Sequence, residues 1–186
     1  VVKIGPEAEE NQPVQAWKPW LGVSTQVITR DLSSALGLPR TTRGVRVAQV
    51  FPESPAEQSG LQCDDLLFRI DGQVIQSYRV EDAEVFGNML KQYKINSTIK
   101  LSGQRNGEAF DLQVTLNKRP DPPNELPKYE EETFEFTLRE LSFGDRVNRR
   151  LDLNQSGLVI ENVEPAGWGA LGGLRQGDLL LRVEKN

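Results

Sequence analysis

Histidine is absent from this 186-residue chain, which excludes a Ser-His-Asp triad and a Cys-His pair within it. Cysteine occurs once, as Cys63, so no internal disulfide forms. Cys63 itself reads as a turn residue filling a small apolar space. A zinc site would have to draw its four ligands from that thiol and carboxylates alone, a donor set foreign to zinc proteins, so neither a metal nor a cofactor is expected. Acid–base chemistry by carboxylates stays formally open. The 27 Asp and Glu, however, are scattered through charged stretches instead of converging, and no catalytic residue is assigned. No run approaches the roughly 20 apolar residues that span a bilayer. Val1 leads directly into the polar stretch from Glu7 to Gln12, so no signal peptide is expected and the chain reads as a piece of a longer protein. Lysine and arginine are nowhere dense enough to follow a phosphate backbone. With a net charge of −5, nucleic acid is not an expected partner, and the acidity reads as solubility.

What the chain does have is a repeat. Residues 44–72 (GVRVAQVFPESPAEQSGLQCDDLLFRIDG) align without a gap on residues 157–185 (GLVIENVEPAGWGALGGLRQGDLLLRVEK) at an offset of 113. The pairs Gly44/Gly157, Pro52/Pro165, Gly60/Gly173, Leu61/Leu174, Asp65/Asp178 and Leu67/Leu180 are identical. One supersecondary unit is therefore used twice. In the first copy Val45, Val47 and Val50 predict a strand. Ser54 caps a short helix with Pro55 at its first position, and Gly60 stops it in a left-handed turn. Leu66 to Ile70 reads as a buried strand ending in the tight turn Asp71-Gly72. Asp82 to Tyr93 reads as a helix, with Val85, Phe86, Met89, Leu90 and Tyr93 on one face. Ile99 and Leu101 begin a strand, Arg105-Asn106-Gly107-Glu108 turns, and Phe110, Leu112, Val114 and Leu116 alternate on the way back. Before the repeat, Trp20 to Thr29 reads as a strand and Leu32 to Leu38 as a short helix.

Residues 118–132 carry four prolines and five acidic residues and predict a semi-extended linker with no packed element. Residues 1–19 read as a second linker. The expected modules are thus 20–117 and 133–186, the second truncated before a groove helix and a closing hairpin. The expected fold class is mainly β with capping helices (α+β), as two tandem partly open β-barrels.

The string WLGV from Trp20, the repeat segment from Ser54 to Gly72, and the following helix and Arg-Asn-Gly-Glu hairpin resemble a bacterial PDZ domain. In particular they resemble the PDZ region of the HtrA/Deg family of trypsin-like serine proteases. The resemblance covers nearly the whole chain after Pro19. With no histidine and no catalytic constellation, no enzyme is expected in this chain itself; the resemblance implies a serine endopeptidase as the parent protein and a periplasmic or cell-envelope location. The partners it implies are unfolded or C-terminal peptide segments and the protease domain of the same parent, with homo-oligomerisation as a further option. The alternative is a non-enzymatic scaffold or an oligomerisation module. The family's Gly-Asp after the short helix stands here as Asp64-Asp65 in the first copy and as Gly177-Asp178 in the second.

A PDZ groove binds an extended peptide by strand addition. It needs a loop that aims N–H groups at a carboxylate, an open strand edge, and an apolar pocket. Trp20, Leu21, Gly22 and Val23 are the candidate loop, because successive N–H groups around a glycine form an anion nest. Val23, Ser24, Thr25 and Val27 supply the pairing strand. Phe86, Met89 and Leu90 line the pocket with Leu21 and Val23, or else belong to the core, where apolar residues at helical spacing usually lie. Trp17 and Trp20 read either as interface anchors or as linker residues packed back on their own domain. In the second copy, setting Leu141 against Leu32 gives an offset of 109 and a four-residue insertion between Leu141 and Leu151. That register puts Tyr129, Glu130, Glu131 and Glu132 in the loop position, predicts no capture of a free C-terminus there, and leaves Trp168 as a docking contact.

Overall fold

The computed structural model describes residues 18–181 and divides the chain into two compact units, one ending at Arg119 and the other starting at Pro120. In the first unit the strands β2 (Val23–Val27), β3 (Val45–Val50), β4 (Leu66–Ile70), β6 (Thr98–Arg105) and β7 (Glu108–Thr115) follow one another in a single antiparallel sheet, with β5 (Gln73–Val74) paired to β4. The sheet is open. Strands β2 and β7 are its two edges among the described residues, so the sheet does not close into a barrel. A separate two-stranded sheet joins β1 (Pro19–Trp20) to β8 (Asn117–Lys118). Composition had placed Pro19 and Lys118 in linkers; main-chain pairing between distant segments leaves no mark on composition.

The inward apolar positions of the strands meet in one core. Val45, Val47, Leu67, Ile70, Ile99, Leu101 and Val114 are at most 1% exposed. Each such side chain contributes about 1.5–3 kcal/mol relative to exposure. Asp65 is also fully buried, and Arg105 from the β6–β7 turn binds both its oxygens, at 2.6 and 2.7 Å. This contact ties the turn after the short helix to the hairpin. Asp64, in the place of a glycine, takes φ +72°, a left-handed conformation that aspartate adopts more readily than most residues. Cys63 is exposed and fills no apolar space.

Helix α2 (Pro55–Gln58) starts where Ser54 Oγ accepts the Glu57 N–H at 3.2 Å and stops before Gly60 at φ +82°. Helix α1 (Arg30–Ala35) begins two residues earlier than the apolar pattern suggested, because Thr29 caps it at Leu32 N. The predicted helix over 82–93 is shorter: a 3-10 turn over Val80–Glu84 leads into α3 (Val85–Leu90). Its start is set by the Asp82 carboxylate, which turns back to accept the N–H groups of Tyr78 and Arg79 at 3.0 and 2.9 Å. Its end tightens into bonds from Gln92 N to Met89 O and from Tyr93 N to Leu90 O.

In the second unit, β9 (Lys128–Glu131), β10 (Phe136–Glu140), β11 (Leu158–Val163) and β12 (Leu179–Leu180) form an antiparallel sheet in the order β12-β11-β10-β9. Helices α4 (Phe143–Arg149) and α5 (Trp168–Leu171) accompany it. Lys128–Glu131, expected to be unpaired linker, is thus a strand; its ladder partner lies only a few residues along the chain. The offset of 109 is also corrected. Thr25 pairs with Val47 and Leu138 with Ile160; Thr29 caps α1 and Ser142 caps α4; Gly44 O accepts from Ile28 N and Gly157 O from Leu141 N. All of these stand 113 apart, so the register runs uninterrupted and no insertion exists between Leu141 and Leu151. The loop equivalent to Leu21-Gly22-Val23 is Phe134-Glu135-Phe136, not the residues 129–132.

Candidate functional site

Strand β2 is an edge, and its hydrogen-bonding phase is fixed. Ile28 N donates to Gly44 O, so the main-chain groups of Ile28, Gln26 and Ser24 face β3. Those of Val27, Thr25 and Val23 therefore face outward, since successive residues of a strand alternate. The loop ahead of the strand is held with equal definition. Leu21 O accepts from Ala56 N and Gly22 O accepts from Phe51 N, both at 2.9 Å. Across a trans peptide the next N–H points the opposite way from the carbonyl, so the N–H groups of Gly22 and Val23 point away from those partners.

Glycine is required in this loop. Gly22 has φ +85°, and a Cβ there would fall 2.1 Å from Ser54 Cβ. The Trp20 ring stacks on Phe51, centroids 6.2 Å apart.

Between β2 and α3 lies a cleft of about 250 Å³. Its volume falls below the roughly 300–1,000 Å³ of small-molecule pockets. Trp20, Leu21, Gly22, Val23 and Thr25 line it on one side, and Phe86 and Leu90 of α3 on the other. The structure places the remaining candidates elsewhere. Met89 packs in the core with 8% exposure and does not line the cleft, whereas Phe86 and Leu90, at 3% and 8%, belong to the same core and also line the cleft. Val27 is buried beyond the cleft, and the side chain of Ser24 is solvent-exposed. Trp17 lies outside the described residues.

Composition gave no sign of the cations at the rim. Lys18 and Arg119 line the cleft, joined through Arg119 N donating to Lys18 O at 2.9 Å, and Lys91 stands at the C-terminal end of α3. Among the described residues Glu84 is the one carboxylate lining the cleft. The helix wall is anchored by Asp82, whose carboxyl lies below the usual carboxylate range because the backbone N–H groups of Tyr78 and Arg79 bind its charged form. Among the described residues no group of His, Cys, Asp and Glu could hold a metal ion. A wider depression of about 650 Å³ between α1 and the β6–β7 turn carries an Arg46–Asp64 ion pair and includes no open strand edge.

An open strand edge, a glycine loop with free-facing N–H groups and a helix across a narrow apolar cleft together define a PDZ-type module. The comparison with known proteins agrees: the PDZ domain family matches residues 19–116, and the chain belongs to that family. Curated relatives are named probable periplasmic serine endoprotease DegP-like. The protein of Marinomonas sp. (strain MWYL1) is 29% identical over 161 residues, which is 87% of this chain and 33% of that protein. The protein of Pseudomonas putida (strain ATCC 700007 / DSM 6899 / JCM 31910 / BCRC 17059 / LMG 24140 / F1) is 32% identical over 166 residues, with the same two shares. Among solved structures, a variant of the HtrA-type protease AlgW with decapeptide matches with a TM-score of 0.50 and 29% identity, over 61% of this chain and 32% of that one. The chain spans about a third of the length of these relatives.

Proposed function

We propose that this chain is the peptide-binding tail of a periplasmic serine protease of the HtrA/Deg type, and that its first unit takes an extended C-terminal segment of a protein by strand addition to β2. The observation that carries this reading is the coincidence of the outward main-chain groups of Val23 and Thr25 with the Gly22 and Val23 N–H groups at one end of the same cleft. A peptide strand pairs with the former, and its terminal carboxylate sits on the latter under the field of Lys18 and Arg119. Leu21, Val23, Phe86 and Leu90 receive an apolar last side chain. The unit regulates, or delivers substrates to, a protease domain elsewhere in the parent protein. The second unit, residues 120–186, is a partial second PDZ module; the uninterrupted offset of 113 supports this.

Isothermal titration of the chain with a peptide ending in valine or leucine tests the proposal. Binding is expected near micromolar, about −8 kcal/mol. An amidated version of the peptide should bind at least about tenfold more weakly, since it loses the charged contact. Equal affinity of acid and amide would overturn the carboxylate assignment.

A further inference from the structure

The second unit contains every strand that shapes the peptide slot of the first, plus one more. Leu141 N donates to Gly157 O, so the main-chain groups of Leu141, Arg139 and Thr137 face β11. Those of Phe136 and Leu138 face the other way, as do those of Val23 and Thr25, 113 positions earlier. In the first unit that edge has no partner among the described residues. In the second it is paired with β9, antiparallel, with Phe136 opposite Glu131 and Leu138 opposite Tyr129. An antiparallel strand on this edge, its C-terminal end at the loop, has the position and direction of the peptide proposed for β2.

The loop has changed to match. Glu135 replaces Gly22 and Gly167 replaces Ser54, so the contact keeps one glycine but on the opposite side. Glu135 takes φ +58°, and a Cβ on Gly167 would lie 3.1 Å from Glu135 Cβ. The Glu135 carboxylate accepts the Trp168 N–H at 3.2 Å, at the N-terminus of α5. A carboxylate is thus already built into the loop, where a second one would meet like charge.

From this arrangement we infer that β9 is an internal ligand of the second unit: residues Lys128–Glu131 occupy the strand-addition slot at β10, and the chain offers one open peptide slot instead of two. The inference rests on the reading of β2 as the open slot.

Amide hydrogen exchange of the unaltered chain, read residue by residue by NMR, tests it. Without peptide, Phe136 and Leu138 should be protected at least about tenfold more than Val23 and Thr25, because the N–H groups of the former face the paired strand β9 while those of the latter face the unpaired edge of β2. Saturating apolar-ended peptide should slow exchange at Val23 and Thr25 and leave Phe136 and Leu138 unchanged. Exchange at Phe136 and Leu138 as fast as at Val23, or new protection there when peptide is added, overturns the inference. If Val23 and Thr25 never gain protection, the proposed function fails, while the free-chain protection of Phe136 and Leu138 still decides the occupancy of the second slot. Tyr129→Pro, which removes a ladder donor, should speed exchange at Leu138 at least about tenfold while Ile160 stays protected. An excess of a synthetic peptide of residues 126–132 should restore it. Unchanged protection of Leu138 in that variant would count against β9 as the occupant.

Discussion

Gly22 and Ser54 make a contact whose energetics can be worked out and checked. In Gly22→Ala the new Cβ meets Ser54 Cβ at 2.1 Å and Ser54 Oγ at 2.6 Å, so the backbone has to move. Overpacking of this kind costs about 1–3 kcal/mol. The φ of +85° adds about 1–2 kcal/mol for any residue with a Cβ. Ser54→Gly alone removes the hydroxyl that caps α2 at Glu57 N, and a Ser-to-Gly change at a cap costs only a few tenths, about 0.3 kcal/mol. Together the two substitutions remove the overlap and leave the backbone strain. The double variant should therefore be more stable than Gly22→Ala alone, with a coupling energy of about 1–3 kcal/mol. Urea unfolding followed by tryptophan fluorescence measures it. A Trp168→Phe background removes the indole of the second unit, which is 68% exposed and so contributes little to stability. Additive effects of the two substitutions would refute the argument, because they would mean that the loop does not lean on the α2 cap.

Three further outcomes are expected. Arg105→Ala leaves the fully buried Asp65 carboxylate with the Gln62 N–H as its remaining hydrogen-bond donor among the described residues and should destabilise the first unit by about 3 kcal/mol in urea unfolding. Asp145 has its pKa pushed down to about 2: burial raises it, but hydrogen bonds from Arg139 and Ser142 outweigh burial. A depressed pKa contributes stability above the unfolded value near 3.8, lost as pH falls through 2, so acid titration of the second unit should lose about 2 kcal/mol between pH 4 and 2, and Asp145→Asn should abolish that dependence. Replacing Lys18 and Arg119 together by serine should weaken peptide binding by about 1 kcal/mol at low salt and less at high salt, as isothermal titration at two ionic strengths would show.

Much of the first unit was legible because its signals are local. Gly60, Asp71-Gly72 and Asn106-Gly107 all take the positive φ that their turn chemistry implies. Alternation in β6 and β7 and the cap at Ser54 likewise follow from neighbours in sequence. The helix after Val80 was longer on paper because apolar spacing records which face is buried and not where the hydrogen bonds change. Asp82 spends its carboxylate on Tyr78 and Arg79, and that choice delays the regular turn to Val85. The β1–β8 pairing is not written in either segment alone. Neither is the placement of Lys18 beside Arg119, which only the closure of the chain on itself produces.

The second unit was misread for a related reason. Apolar spacing matched Leu141 to Leu32, yet in the fold Leu141 occupies the place of Ile28, buried in both units under the start of a helix. The caps carry the register: Thr29 and Ser142 both precede their helices and both accept a backbone N–H from three residues on, which fixes the offset at 113. Once the caps are aligned, the loss of Gly22 becomes visible as an exchange: glycine stands at the α5 cap, where the first unit has Ser54, and Glu135 stands in the loop, where the first unit has Gly22. A loop that keeps its backbone shape but reverses which side carries the side chain preserves the fold and puts a carboxylate where the proposed function of the first unit seats an anion. The consequence reaches β9. On the proposal that the second loop holds no anion, a strand supplied by the chain itself fills the edge, chiefly through main-chain bonds that need no particular side chains, with Lys128 adding an ion pair to Glu161 at 2.8 Å. That is why composition read these residues as linker and the ladder shows them as a strand.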